Sequence, residues 1–385
     1  MEDWQNGGFG LYIHWPFCQA KCPYCDFNSH VSRKIDQGEW LTAYLSEIDR
    51  VKALTGERVL NTVFFGGGTP SLMDPDVVHT ILDRVRKTWP CANDLEVTLE
   101  ANPSSVEAGR FHGYSQAGVS RISMGIQALN DADLQKLGRL HTVREAQDAF
   151  DIARGVFDRV SFDLIYARQN QSLADWKAEL QTALNMAIDH VSLYQLTIEH
   201  GTAFGDRHAR GRLRGLPADD LSADMYDLTA ELSGAAGFEA YEVSNHARPG
   251  AASRHNLIYW RYGDYAGIGP GAHGRLTSGG TRYATEAKRA PELWLAAVRT
   301  GQAELDQVII TPQDQADEYL MMGLRLHHGI DLGRYNSLSG TPLNAGVLDH
   351  LESIKMIERT QNKLRATKSG RLVLNAILKE LLVGA

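Results

Sequence analysis

The sequence predicts an α/β protein: a partial (β/α)6 barrel, a β-extension of its sheet, and a small C-terminal winged-helix-like α+β domain. Three observations carry this. Six short apolar segments alternate with segments of helical spacing up to about residue 236, the pattern of βα units around a parallel sheet. From 237 to 310 the texture turns to Gly, Tyr and Trp, as in Asn256–Tyr265. From 311 the helical spacing returns, around two strand-like runs with the outline of a wing. The expected divisions are therefore 1–236, 237–310 and 311–385. Six units are too few for an eight-fold barrel, so the sheet is read as open.

The elements follow in order. Phe9–Trp15 is an apolar-aromatic strand. Glu39–Leu54 is a helix, because Leu41, Tyr44, Leu45, Ile48 and Val51 share one face. Val59–Phe65 is a strand that runs into Gly66-Gly67-Gly68-Thr69-Pro70. Pro75–Trp89 is helical, and Leu95–Ala101 alternates as a strand does. Ser104–Gln116 reads as a helix closed by Gly118. Val119–Met124, Val160–Tyr166 and His190–Leu196 are strands. Thr142–Ala153, Leu173–Met186 and Ala218–Ala235 are helices. His255–Trp260 falls among the short strands of the extension, which also holds one helix, Glu292–Arg299. Gln313–Leu326 and Leu343–Ser353 are helices, Met356–Ala366 is the wing, and Arg371–Leu382 is the last helix. Chemistry on parallel sheets gathers at the C-terminal strand ends. The cysteine loop, the glycine run, Glu100, Gln127 and Asp163 all fall there.

Composition excludes several classes. Hydrophobic residues at 43% and charged residues at 22% rule out disorder, collagen and coiled coil for the whole chain. A net charge of −8 argues against nucleic-acid binding, even with Lys363, Arg365, Lys368 and Arg371 near the wing. No apolar run approaches the roughly 18 residues of a membrane span. The first residues lack a basic and then apolar leader, so a cytoplasmic placement is expected.

Of the four cysteines, Cys18, Cys22 and Cys25 form C-x3-C-x2-C, and Cys91 stands apart. A disulfide scaffold would use more cysteines in a smaller chain. A structural zinc site usually takes four ligands, and a second pair is missing. Thiolates suit iron–sulfur clusters. Three of them can hold three irons of a [4Fe–4S] cube and leave the fourth open. The glycine run permits close backbone approach to a ligand. It is neither G-x-G-x-x-G nor a P-loop, and a tight βα turn is the alternative reading.

Together, the C-x3-C-x2-C loop after the first strand and Gly66–Pro70 after the second resemble the radical S-adenosylmethionine (SAM) superfamily. Tyr12–Cys18 and Ser123-Met124-Gly125-Ile126-Gln127 resemble its branch of oxygen-independent coproporphyrinogen III dehydrogenase and relatives. Two features resemble the haem-chaperone (HemW) members of that branch. Phe27 stands where the dehydrogenases carry a further cysteine, and His255-Asn256-Leu257-Ile258-Tyr259-Trp260 matches the chaperones' H-N-x-x-Y-W. Only 17 residues precede Cys18, without the dehydrogenases' long extension. One stretch departs from the pattern. Where the family often reads D-L-I-Y-G-L-P-G-Q, this chain has Asp163-Leu164-Ile165-Tyr166-Ala167-Arg168-Gln169-Asn170-Gln171.

The resemblance implies a haem chaperone that uses a [4Fe–4S] cluster and SAM and delivers haem to respiratory apoproteins. It implies a cytoplasmic protein, peripheral at the inner membrane face, with a homodimer open as an arrangement. A coproporphyrinogen III dehydrogenase, or another radical SAM enzyme of tetrapyrrole metabolism, is the rival. Cys18, Cys22 and Cys25 match the cluster ligands. Tyr12, Gly67, Gly68, Thr69, Glu100, Gln127 and Asp163 match positions around SAM, and Arg139 matches a partner for its carboxylate. His255 matches the haem motif. Its readings are an axial iron ligand, a polar anchor in a core strand, or an indirect role. His246 and His273 are competing ligands.

Overall fold

Phe9–Trp15 (β1) is buried along its whole length except at Tyr12. That is the mark of a parallel strand covered on both faces. Five more strands follow it in chain and in space: Leu60–Gly67 (β2), Cys91–Ala101 (β3), Arg121–Gln127 (β4), Arg159–Tyr166 (β5) and His190–Gln195 (β6). All five neighbouring pairs are parallel. The computed structural model describes residues 2–32 and 34–383. Met1, Arg33, Gly384 and Ala385, including the outer ends of the first and third expected segments, lie outside the described residues.

The sheet grows at both edges. Asp264–Ile268 pairs parallel with β1. His273–Ser278, Thr281–Glu286 and Val308–Ile309 then add antiparallel strands. Beyond β6 lie Asn245–Ala247 and Glu239–Ala240, also antiparallel. The result is one open sheet of 12 strands, with Val308–Ile309 at one edge and Glu239–Ala240 at the other. This is the expected α/β partial barrel.

The helices start where local chemistry favours it. Asp36 caps Gln37–Thr55 by accepting from the Gly38 and Glu39 amides. Thr142 and Ser172 form capping boxes before Val143–Arg154 and Leu173–Met186. The extension shares the barrel's core: Trp294 stacks on Trp40 at 5.4 Å between ring centres. Tyr262 and residues from Ala316 to Leu381 form a second core. Over it lies the wing, Ile357–Thr360 and Lys363–Ala366, with Ile330–Asp331 as third strand.

Four expectations need correction. The helix expected over Ser104–Gln116 is broken into Ser105–Ala108 and Phe111–Ala117. Gly109, a poor helix former, lies in the break. Gly118 does close the second piece, at φ 101°. The last helix is also broken, into Lys368–Leu372 and Leu374–Val383, where Val373 leaves helical geometry at φ −122°. Asp131–Lys136, Ala203–Ala209 and Leu332–Ser339 are helices too short for periodicity to reveal. Most important for function, His255–Trp260 is not strand. Arg254–Trp260 is a helix capped by Ser253.

Candidate functional site

After β1, Pro16 turns the chain into a loop that returns at His30, where Phe17–Cys18 pairs with His30–Val31. Within it the Cys25 amide donates to the Cys22 carbonyl at 3.2 Å, a tight turn around Pro23. Cys18 is buried and Cys22 and Cys25 are half-buried. Among the described residues no three His, Cys, Asp or Glu side chains are placed to hold a single metal ion. The residues carrying the three thiols instead line a shared cleft of about 140 Å³.

The glycine run ends β2 against this loop. The Gly68 amide donates to the Trp15 carbonyl at 2.7 Å and the Thr69 amide to the Phe17 carbonyl at 2.8 Å. A Cβ on Gly67, at φ 109°, would meet the His14 ring at 2.5 Å, and one on Gly68 would meet the Phe17 carbonyl at 2.6 Å. The glycines are therefore needed for packing of strand against loop. Their missing side chains would face β1 and its continuation, while Gly67 and Gly68 themselves line the cleft.

The other predicted residues reach the same cleft from successive strand ends. Glu100 comes from β3, Gln127 from β4, Asp163 from β5, and Arg139 from the turn after Asp131–Lys136. Gln127 sits at φ 76°, where β4 changes register against β5. Positive φ at a non-glycine residue is a costly local state often found at functional sites. Glu100 accepts from the Gly67 amide at 3.3 Å. Burial, followed by the nearby Asp163 charge, pushes the Glu100 carboxyl up to about 8. Burial likewise pushes Asp163 up to about 6.

Arg139 organises one wall. Its guanidinium donates to the Cys22 sulfur at 3.5 Å, to Asn102 Oδ1 at 2.6 Å and to the Gly125 carbonyl at 2.7 Å. Asn102 in turn donates to Thr69 Oγ1, and Thr69 Oγ1 donates to the Cys18 sulfur at 3.5 Å. Asn102 was not foreseen, although an Asn-Pro step two residues after Glu100 was a visible strand-end signal. Ser123, Gly125 and Tyr24 also line the cleft without having been predicted there.

The residues fit a cluster with SAM. Arg139 Nε is buried and has no hydrogen-bond partner, an orphan donor beside the cleft. Burial raises the Cys18 and Cys25 thiols. In such a site a thiolate is favoured by a bound metal. Tyr12 lies apart. It lines an adjoining cleft, and its hydroxyl meets His14 Nδ1 at 3.0 Å.

His255 is placed differently again. It is 1% exposed, on a helix packed against β2. Its Nδ1 meets Thr62 Oγ1 and its Nε2 meets the Tyr259 hydroxyl, both at 2.7 Å. Its ring stacks on Phe64 at 5.0 Å. Burial, with the Arg121 charge, lowers its pKa to about 3. Trp260 lies under the Arg325 guanidinium at 4.7 Å. The motif is folded inward, and both imidazole nitrogens are in use. His246 is also buried. His273 is 59% exposed.

The departure from the family pattern is accommodated by backbone. Ala167 and Asn170, where the family often has glycine, adopt φ 57° and φ 60°. Arg168 turns inward and donates to Asp133 and Glu179 at 3.0 and 2.7 Å.

Comparison with known proteins bears on the family and the fold. Residues 12–183 match the radical SAM superfamily, and residues 310–373 match the HemN C-terminal domain. The heme chaperone HemW of Escherichia coli is 37% identical over 96% of this chain and 97% of its own. Radical S-adenosyl methionine domain-containing protein 1, mitochondrial, of Bos taurus is 41% identical over 83% of this chain and 74% of its own. The solved coproporphyrinogen III oxidase HemN of E. coli superimposes with a TM-score of 0.81 over 98% of this chain and 92% of that one. At 19% identity, that last likeness shows the fold.

Proposed function

This chain belongs to the HemW family of radical SAM proteins, and from that premise we propose that it is a haem chaperone carrying a [4Fe–4S] cluster and SAM. Cys18, Cys22 and Cys25 hold the cluster. Arg139, through its unpartnered Nε, takes the carboxylate of SAM. Glu100, Gln127 and Asp163 face its amine and ribose, with Gly67, Gly68 and Thr69 forming the wall behind. When bound, the cluster and SAM supply one-electron chemistry. The acceptors are respiratory apoproteins, met from the cytoplasmic side of the inner membrane. No helix among the described residues is long and apolar enough to cross a membrane.

The observation that carries the chaperone reading is Phe27. At the position where the branch's dehydrogenases have a further cysteine, this chain exposes 58% of an apolar ring between the cysteine cleft and the adjoining one. The full-length likeness to HemW proteins supports it. The test runs anaerobic incubations with haem and with coproporphyrinogen III side by side. Stoichiometric haem uptake without protoporphyrinogen IX is expected, and robust decarboxylation overturns the reading.

A further inference from the structure

Beside the cysteine cleft lies a second one of about 520 Å³, open to solvent. The two share Phe27, Gly67 and Glu100. Tyr12, Tyr259, Tyr265, His273 and Arg289 line the second alone. A wall of four aromatic rings that includes an exposed Phe suits a flat apolar ligand. We propose that haem binds in this second cleft, with His273 as the iron ligand and Arg289 paired to a propionate. The proposal rests on the haem-chaperone reading and names the part of the molecule that would carry it out.

The histidines separate on accessibility. His255 is buried, with both nitrogens bonded. A lone pair offered to iron would break a bond to Thr62 or Tyr259 inside the core. His14 faces the same cleft, but its nitrogens are occupied by the Tyr12 hydroxyl and the Asn28 carbonyl at 3.0 and 2.9 Å. His246 is 3% exposed and lines a different cavity, next to His327. His273 alone of these is exposed to the cleft. It begins strand His273–Ser278, directly opposite Glu286. Its Nε2 lies 3.9 Å from the Glu286 carboxylate. At that distance the carboxylate lies beside the ring without a hydrogen bond to it.

Arg289 supplies the complementary charge. Its side chain is exposed, and no ion pair to it is found among the described residues. A guanidinium fork matches a carboxylate. Asn28 anchors this edge to the cysteine loop: its Nδ2 donates to the Pro270 and Arg289 carbonyls, both at 2.9 Å. Tyr259 links the helix to the cleft, since its hydroxyl meets His255 and the residue lines the cleft. In this arrangement the H-N-x-x-Y-W histidine braces the core and is not the iron ligand.

The test titrates haem into the full-length protein and three variants, followed by Soret absorbance and low-temperature electron spin resonance. Circular dichroism checks that each variant is folded. His273→Ala is expected to shift the Soret band and weaken haem at least tenfold, with the spectrum restored by added imidazole. Arg289→Ala is expected to weaken haem several-fold, yet leave unchanged the affinity for the haem dimethyl ester, which has no free propionate. His255→Gln is expected to keep the wild-type spectrum. An unchanged spectrum and affinity in His273→Ala overturns the assignment, as does a loss that imidazole fails to restore. Failure of the wild type to bind haem at all instead overturns the chaperone reading beneath it.

Discussion

The barrel mouth and the helix Arg254–Trp260 each carry a sequence motif, and they treat its polar atoms in opposite ways. At the mouth, three thiols, two carboxylates and a guanidinium from separate elements face one cleft, and Arg139 Nε is left without a partner. On the helix, His255 spends both nitrogens on neighbours in the core. Unspent buried polarity points to a ligand, because an unpaired group of that kind is costly. Spent polarity points to structure. The same kind of evidence, a residue pattern in a family-like position, therefore means different things in the two regions.

The largest effect expected breaks the first region. Replacing Cys18, Cys22 and Cys25 together by Ser should take anaerobically reconstituted iron from about four per chain to none. Cys91→Ser should leave it unchanged, since that thiol lies at the far end of β3 and contacts the Trp89 carbonyl. Iron and sulfide analysis reads both. Full iron in the triple variant would sink the cluster assignment.

The second region should respond in stability first. His255→Ala leaves Thr62 and Tyr259 unpaired and opens a cavity beside Phe64. A loss of about 2–4 kcal/mol is expected in urea unfolding. If the variant is as stable as the wild type, the bracing role assigned to His255 is wrong.

A pH test sharpens the contrast at the mouth. The folded values of Glu100, about 8, and Asp163, about 6, stand above their ordinary ranges. Between ordinary and folded values the native state holds protons that the unfolded chain has released. Stability of the cofactor-free protein should then fall as pH rises from about 5 to 8. Glu100→Gln removes its share, so the variant should gain about 1–2 kcal/mol over wild type at pH 8 and little at pH 5. Equal differences at both pH values would mean that Glu100 is already charged in the fold.

The fold was legible because parallel strands and their helices leave strong periodic signals. Phe9–Trp15 and Leu173–Met186 match residue for residue. That Glu100, Gln127 and the cysteine loop share one cleft was legible because parallel strands bring their C-terminal ends to one side of the sheet. His255–Trp260 was misread for a physical reason. Its seven-residue helix carries four consecutive apolar residues, Leu257–Trp260, that go all round it, so no period distinguishes it from a buried strand. Asn102 was missed because its importance lies in bridging Thr69 to Arg139 across 33 and 37 residues of sequence. No local pattern records such a bridge.

The smallest effect concerns the loop where this chain departs from its family. Ala167 and Asn170 both hold positive φ at positions where the family often has glycine. Asparagine tolerates the left-handed region, because its short side chain bonds locally. Alanine has no such help, and the conformation costs it about 1–2 kcal/mol. Glycine would remove that cost but would loosen the unfolded chain by about 0.5–1 kcal/mol. Ala167→Gly should therefore stabilise the protein by only about 0.5 kcal/mol, and Asn170→Gly by less. Arg168 separates this loop from a merely strained one, since its pairing with Asp133 and Glu179 holds the turn in place. Arg168→Leu, the residue of the family pattern, leaves half-buried Glu179 without its cation and Asp133 with Lys136 alone. It should be destabilising in the wild type and no better tolerated beside Ala167→Gly. A double variant as stable as the wild type would show that glycine, and not the arginine, is what this turn lacks.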